Sequence, residues 1–370
     1  MAGREKRTGE GRVSRRIARV LGLLALLALC ATTGWAGSND RLGTGGATEL
    51  LIPVGPRGTA LGPAVASDIN GVESIYWNPA GLGGMERTEV LFTHTEYFAG
   101  MSVNYAAVAA RVGGFGTLGL SAKALSIGDV IVTTEQAPEG TGEILDPTFA
   151  VLGASWGRAF TDRVTFGLNL NYVTEKVQSV GASGVALDFG VQYNTGWRSL
   201  ALAMTVKNLG SSMQFDGDNL DISVQPPGSE PSSSNRVVRF TTTSFEMPSY
   251  FTLAANYDLY RLSRSSVQVR GAFQSNNFSG DNLNGALEWN YKNMLALRGS
   301  WFGTLNQTSD PATGNTTSEF VSGDDLYQGF ALGGGFNVKA SDVRMDVDFA
   351  WRPVTEFFDD IVEVGVRFTF

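Results

Sequence analysis

The chain has 370 residues, with 46 Gly, 12 Pro, 11% aromatic and only 17% charged side chains, and a mean hydropathy of −0.02. That is too little charge and too much glycine for an ordinary soluble domain, and far too polar for a bundle of apolar helices. Near-neutral hydropathy suits a membrane barrel, in which half of each strand faces water.

Residues 1–36 carry an expected secretory signal: Arg15, Arg16 and Arg19 precede an apolar run from Ile17 to Cys30, and Gly34-Trp35-Ala36 supplies small residues for cleavage after Ala36. The bulky Leu29 argues against lipidation at Cys30. Removing those residues takes seven of the 28 basic and two of the 36 acidic side chains and leaves a net charge of −13. Such a balance argues against nucleic acid as a partner, because phosphate contacts need clustered Lys and Arg. The remaining residues contain no cysteine, so disulfides and thiolate metal sites are excluded there.

Residues 37–86 come next, as an N-terminal segment ahead of the first strand-like run. Its 55–85 stretch holds too much Gly and Pro for a spanning strand. It includes Tyr76, Trp77, Asn78, Pro79 and Gly81, and Asn78-Pro79 is also a turn signal in its own right.

From residue 87 the pattern has period two. Val164, Phe166, Leu168, Leu170 and Tyr172 enclose Thr165, Gly167, Asn169 and Asn171; Val343, Met345, Val347, Phe349 and Trp351 enclose Arg344, Asp346, Asp348 and Ala350. That is the signature of strands with one apolar and one polar face. Such runs cover 87–97, 101–112, 115–126, 148–158, 163–175, 184–195, 199–209, 249–260, 266–275, 283–291, 294–302, 328–338, 342–352 and 361–370. Most have about the ten residues that a tilted spanning strand needs. Gaps after even-numbered runs are short, and the long ones (127–147, 210–248, 303–327 and 353–360) all follow odd-numbered runs. Long loops on one rim and short turns on the other are the habit of outer-membrane barrels. A soluble β-sandwich would also alternate, but it gives no reason for that asymmetry. The expected fold is therefore all-β, a transmembrane antiparallel β-barrel of about fourteen strands with an N-terminal plug-like segment, spanning 87–370 in the outer membrane of a Gram-negative-type bacterium. The final run ends on Phe370, which resembles the signal that barrel-assembly machinery reads. Lipid and that machinery are the expected partners.

Alternation aims Lys123, Lys207, Arg270, Arg298, Arg344, Arg352, Asp188, Glu288, Asp346 and Asp348 into the lumen. Mixed signs suit salt bridges between wall and plug, or equally a simply solvated interior. Phe166, Leu168, Leu187, Phe189, Leu202, Met204, Val347 and Phe349 face lipid, and an Arg at Leu168 should cost more than one at lumen-facing Asn169.

Several motifs match without their context. Gly114-Phe115-Gly116-Thr117-Leu118-Gly119 fits a dinucleotide fingerprint, but a strand follows where the motif needs a helix. Gly153-Ala154-Ser155-Trp156-Gly157 fits a nucleophile elbow, yet Ser155 lies mid-strand and His94 is the one histidine. His94 with Glu96 is a weak metal pair, and Asp216-Gly217-Asp218-Asn219-Leu220-Asp221 is half a calcium loop without its closing Glu. No catalytic residue, metal or cofactor is expected, and the chain is not read as an enzyme.

Gly55-Pro56-Arg57-Gly58-Thr59-Ala60-Leu61-Gly62, Asp68 and Tyr76-Trp77-Asn78-Pro79-Ala80-Gly81-Leu82, followed by Leu187-Asp188-Phe189-Gly190 and Lys207-Asn208-Leu209-Gly210, resemble the PorV/PorQ-type proteins, a branch of the FadL-like (long-chain fatty-acid transporter-like) barrels. The resemblance covers most of residues 50–260. It implies that residues 55–85 tuck into the lumen as a plug. Pro63 departs from the pattern and makes a regular helix there doubtful. Three functions follow: a component of type IX protein secretion that receives and hands on exported cargo, as PorV is; passive transport of long-chain fatty acids or other hydrophobic molecules; or a structural or adhesive surface barrel. Residues 210–248, with Pro226, Pro227, Pro231, a Ser run and no aromatic between Phe215 and Phe240, favour docking of secretion-apparatus or cargo proteins over an apolar entry groove.

Overall fold

The computed structural model describes residues 41, 43–228, 234–309, 316–324, 326–355 and 357–370. The expected signal sequence and Cys30 lie outside them.

Fourteen antiparallel strands close into a barrel. They are β1 (Glu89–Glu96), β2 (Ser102–Val112), β3 (Gly116–Ser126), β4 (Thr148–Ala159), β5 (Val164–Val177), β6 (Val180–Asn194) and β7 (Ala201–Gly210), then β8 (Tyr250–Arg261), β9 (Ser265–Asn276), β10 (Asp281–Tyr291), β11 (Leu295–Ser309), β12 (Phe330–Ala340), β13 (Val343–Arg352) and β14 (Ile361–Thr369). Each strand pairs with its sequence neighbours, and β14 pairs with β1 from Glu89↔Thr369 to Glu96↔Val362, which closes the ring. Closure leaves no free edge, the condition for spanning lipid with strands.

The expected register holds. Leu118, Leu120, Leu152, Leu170, Leu287 and Leu332 are exposed on the outer face, while Ser155, Asn169, Asn171, Asp188 and Glu288 are buried on the inner one. Aromatic pairs sit at both ends of the wall: Trp289–Tyr291, 5.9 Å apart, beside the short turns, and Phe330–Trp351, 5.7 Å apart, beside the long loops. Such girdles mark the two interfaces of a bilayer.

Two boundaries differ from the sequence pattern. Residues 176–183 are not a loop: β5 and β6 run on to meet at Val177↔Val180, with Gln178 at φ 54°. Gly181 to Gly184 carry no apolar alternation, yet the ladder continues because beyond the membrane neither face needs apolar side chains. For the same reason β11 continues past residue 302, and Thr316–Ser322 pairs back along it. In the loop after β7, Asp221–Val224 and Arg236–Arg239 form a second hairpin.

The N-terminal segment is compact and lies against the inner wall. It contains helix α1 (Pro56–Leu61), a 3-10 turn at Gly62–Ser67, helix α2 (Ser74–Trp77) and a 3-10 turn at Pro79–Gly84. Pro63 does interrupt the helix: α1 stops at Gly62, whose φ is 66°. Val54, Leu61, Val65, Ile69, Ile75 and Leu82 of this segment are fully buried. They supply the apolar core that the water-facing interior of the wall lacks.

Candidate functional site in the lumen

Glycine decides how closely the segment approaches the wall. Gly157 of β4 is paired with Gly167 of β5, which is paired with Gly190 of β6. Their inner faces form one smooth row. Pro79 and Leu82 lie on it so closely that a Cβ at Gly167 would stand 2.1 Å from the Pro79 carbonyl carbon, and one at Gly157 2.5 Å from Leu82 Cβ. Asn78, wholly buried, fixes the turn. Its Oδ1 accepts from Ala80 N at 3.1 Å, and its Nδ2 donates to Ala66 O at 2.9 Å and Val191 O at 3.5 Å. Gly81 packs on the Ile69 carbonyl.

Trp77 packs on a buried cluster that joins Leu61, Val65 and Ile69 of the segment to Ala254, Ala272 and Ala286 of the wall. It is half-buried: Nε1 donates to Val54 O at 2.9 Å, the ring covers Gly58, and one side is left to a cavity. Tyr76 meets it edge-on at 5.2 Å. Gly58 leaves room for the indole, since a Cβ there would meet the Trp77 ring.

Most of the inner charges are paired, Arg352 apart. Glu288 of β10 accepts from three guanidiniums: Arg57 at 3.2 Å and 3.3 Å, Arg270 at 2.6 Å and Arg298 at 2.8 Å. Arg270 also grips Asp68 with two bonds of 2.9 Å and 2.7 Å, and Arg298 pairs with Asp348. Three cations thus face three carboxylates, and Arg57 and Asp68 belong to the segment. Lys123 donates to the carbonyls of Glu49 and Ile52 at 2.6 Å and 2.5 Å, and Lys207 to that of Tyr76 at 2.5 Å. Asp188 accepts from Asn169, Asn171 and the backbone of Asn208 at 3.1, 2.9 and 2.7 Å. It sits at a bulge where Asn208 takes φ 58°. Asp346 is shared by Arg344 and Arg367 at 3.0 Å and 2.8 Å. Two anchors escaped the sequence reading. Glu363 of β14 accepts from Gly55 N at 2.6 Å and Thr59 Oγ1 at 2.5 Å, and Asn284 accepts from Ala64 N at 3.1 Å. Their inward register was readable, but their partners were not.

On the long-loop side of the segment lies a cavity of about 330 Å³. Among the described residues, six aromatic side chains line it: Tyr76 and Trp77 of the segment, Tyr97 beyond β1, Tyr250 of β8, Phe302 of β11 and Tyr327 before β12. Gln274, Asn276, Asn282, Asn284 and Arg352 also line it. A second, polar cavity of about 360 Å³ opens on the short-turn side, bounded by Arg57, Glu288, Arg298 and Asp346. The segment therefore stands between two spaces of different character.

Among the described residues, the remaining motifs form no site. Ser155 is buried inside and donates to Asn169 at 2.8 Å, whereas His94 is exposed and pairs with Asn104 at 2.9 Å. They lie on opposite faces of the wall. In the acidic loop, Arg239 takes the position a cation would fill, 3.2, 3.6 and 2.6 Å from Asp216, Asp218 and Asp221. That guanidinium holds the Asp221 carboxyl below the usual carboxylate range, chiefly by hydrogen bonding.

A closed fourteen-stranded meander with an apolar outer face between two aromatic girdles defines an outer-membrane β-barrel. Among solved structures, the chain is similar to the Pseudomonas putida toluene transporter TodX, at 12% identity over 85% of this chain and 97% of that one, with a TM-score of 0.51. The Ralstonia pickettii toluene transporter TbuX aligns over 85% of this chain and 97% of that one at 11% identity, with a TM-score of 0.49. The likeness to TodX is one of fold. No family model and no curated protein matches the sequence.

Proposed function

We propose that this barrel is a passive channel for small hydrophobic molecules, the transport reading that a FadL-like barrel implies, with residues 43–85 acting as its plug. The observation that carries the proposal is the aromatic cavity between the segment and the long loops. The polar composition of residues 210–248 had favoured protein docking, but the apolar lining does not come from that loop. It comes from Tyr76 and Trp77 of the segment and from strand ends around Tyr250 and Phe302. A pocket of this size with a few convergent polar groups suits a small ligand. Uptake of labelled toluene and labelled palmitate into proteoliposomes carrying the purified barrel tests the reading. Uptake no faster than in empty liposomes removes it.

The type IX secretion reading keeps one specific support. In the hairpin of Asp221–Val224 and Arg236–Arg239, Val237 is 70% exposed, and Phe240 just beyond it is 61% exposed. Apolar side chains held out on an ordered loop suit a protein partner. Removing this hairpin and following secreted cargo separates the two readings, because transport would survive the deletion and cargo release would not.

A further inference from the structure

The cations of the inner wall fall into two groups. Arg57, Arg270 and Arg298 are matched by carboxylates, and Lys123 and Lys207 by carbonyl oxygens. Arg352, among the described residues, has neither an ion pair nor a side-chain hydrogen bond. Its guanidinium instead lies over two rings of the outer cavity, 3.4 Å from the Tyr327 centroid and 4.8 Å from that of Phe302. Tyr327 is itself fixed, by the 2.8 Å bond between its hydroxyl and that of Tyr97 and by the 2.7 Å bond from its N–H to Asp324. Among the described residues, Asp324 is the acidic one on the same lining, and its Oδ1 is already taken by the backbone of Leu326 and Tyr327.

Stacking uses the faces of a guanidinium and leaves its edge of N–H donors open, and that edge matches a carboxylate. We infer that the outer cavity takes compact aromatic carboxylates, with the anionic head on the edge of Arg352 and the ring among Tyr76, Trp77 and Tyr250. This deepens the transport reading by naming a preferred ligand class. Planar rings pack best on aromatic walls. The cavity has a floor, formed by Thr59, Gly62 and Pro63 of the segment, so a compact body fits where a long chain would be stopped. The amide side chains of the lining tolerate a ring substituent but carry no charge.

Binding of 3-phenylpropionate to the full barrel in phosphatidylcholine nanodiscs, followed by equilibrium dialysis, tests this. Saturable binding is expected, weaker by about tenfold or more for 3-phenylpropanol and for octanoate, and similarly weakened by R352Q. R352K, a charge without the planar edge, should restore part of the loss. Equal binding of the acid and the alcohol overturns the inference in the unaltered protein, even if no variant folds. Equal binding of octanoate overturns the aromatic part. If proteoliposomes fail to take up toluene while the acid still binds selectively, the transport reading falls and the binding site stands. If toluene enters but the acid is not preferred, the reverse holds.

Discussion

A methyl group placed on Gly190 would stand 2.0 Å from Asn78 Oδ1, although the two residues are 112 positions apart on the wall and the segment. No L side chain shares that space, so the turn at Asn78-Pro79 and the glycine row of β4 to β6 specify each other.

G190A should therefore undock the segment and leave the wall intact. Overpacking of this kind costs about 1–3 kcal/mol, and the closed ladder does not depend on it. The expected result is faster proteolysis within residues 55–85, together with raised single-channel conductance and an unchanged strand content. Unaltered conductance would mean that the segment does not limit the path.

Glu288 is the second point of attachment. E288A leaves Arg57, Arg270 and Arg298 facing Asp68 and Asp348 alone, inside a site where Arg270 is wholly buried. Removing one partner of a buried ion pair costs about 3–5 kcal/mol. Urea unfolding in lipid should report a loss of that order. R57A should cost less, because Arg57 is partly exposed and its removal leaves two cations on Glu288.

The wall was legible because a spanning strand obeys a period of two in every residue, so register followed from Leu168 and Asn169 alike. The ends of β6 and β11 were not, since Gly181 to Gly184 and Asn306 to Ser309 lie outside the region where lipid imposes a pattern. The inward charges were legible as a set, but their partners were not: Arg57 meets Glu288 across 231 residues, and no local spacing encodes that. The cavity was hidden for the same reason, because its rings come from distant parts of the chain. The signal that could have revealed the docking surface was glycine at inward positions of three successive strands.

Burial also corrects the expected contrast between Leu168 and Asn169. Leu168 faces outward, and L168R should cost about 2–4 kcal/mol in lipid. Asn169, however, is 3% exposed and bonded to Ser155, Asn171 and Asp188, so an Arg there breaks a satisfied polar network and is no mild control. Gln274 borders the outer cavity and has room, so Q274R should change stability little. Equal losses for L168R and Q274R would contradict the assignment of faces.

Acid should open the outer hairpin late. The Asp221 carboxyl is held below the usual range by its hydrogen bond from Arg239. A group whose folded value is depressed adds stability above its unfolded value, and that stability is lost as pH falls through the folded value. The hairpin should therefore stay closed through the ordinary carboxylate range, near pH 4, and open only in stronger acid. Amide exchange of Ile222 and Val238, followed from pH 6 downward against unstructured-peptide rates, checks this, and it reads the hairpin rather than the barrel. D221N removes the titrating group, so its hairpin should exchange faster at neutral pH and show a smaller acid step. A hairpin that opens at the ordinary carboxylate value in the unaltered protein would show that Arg239 contributes nothing to holding it closed.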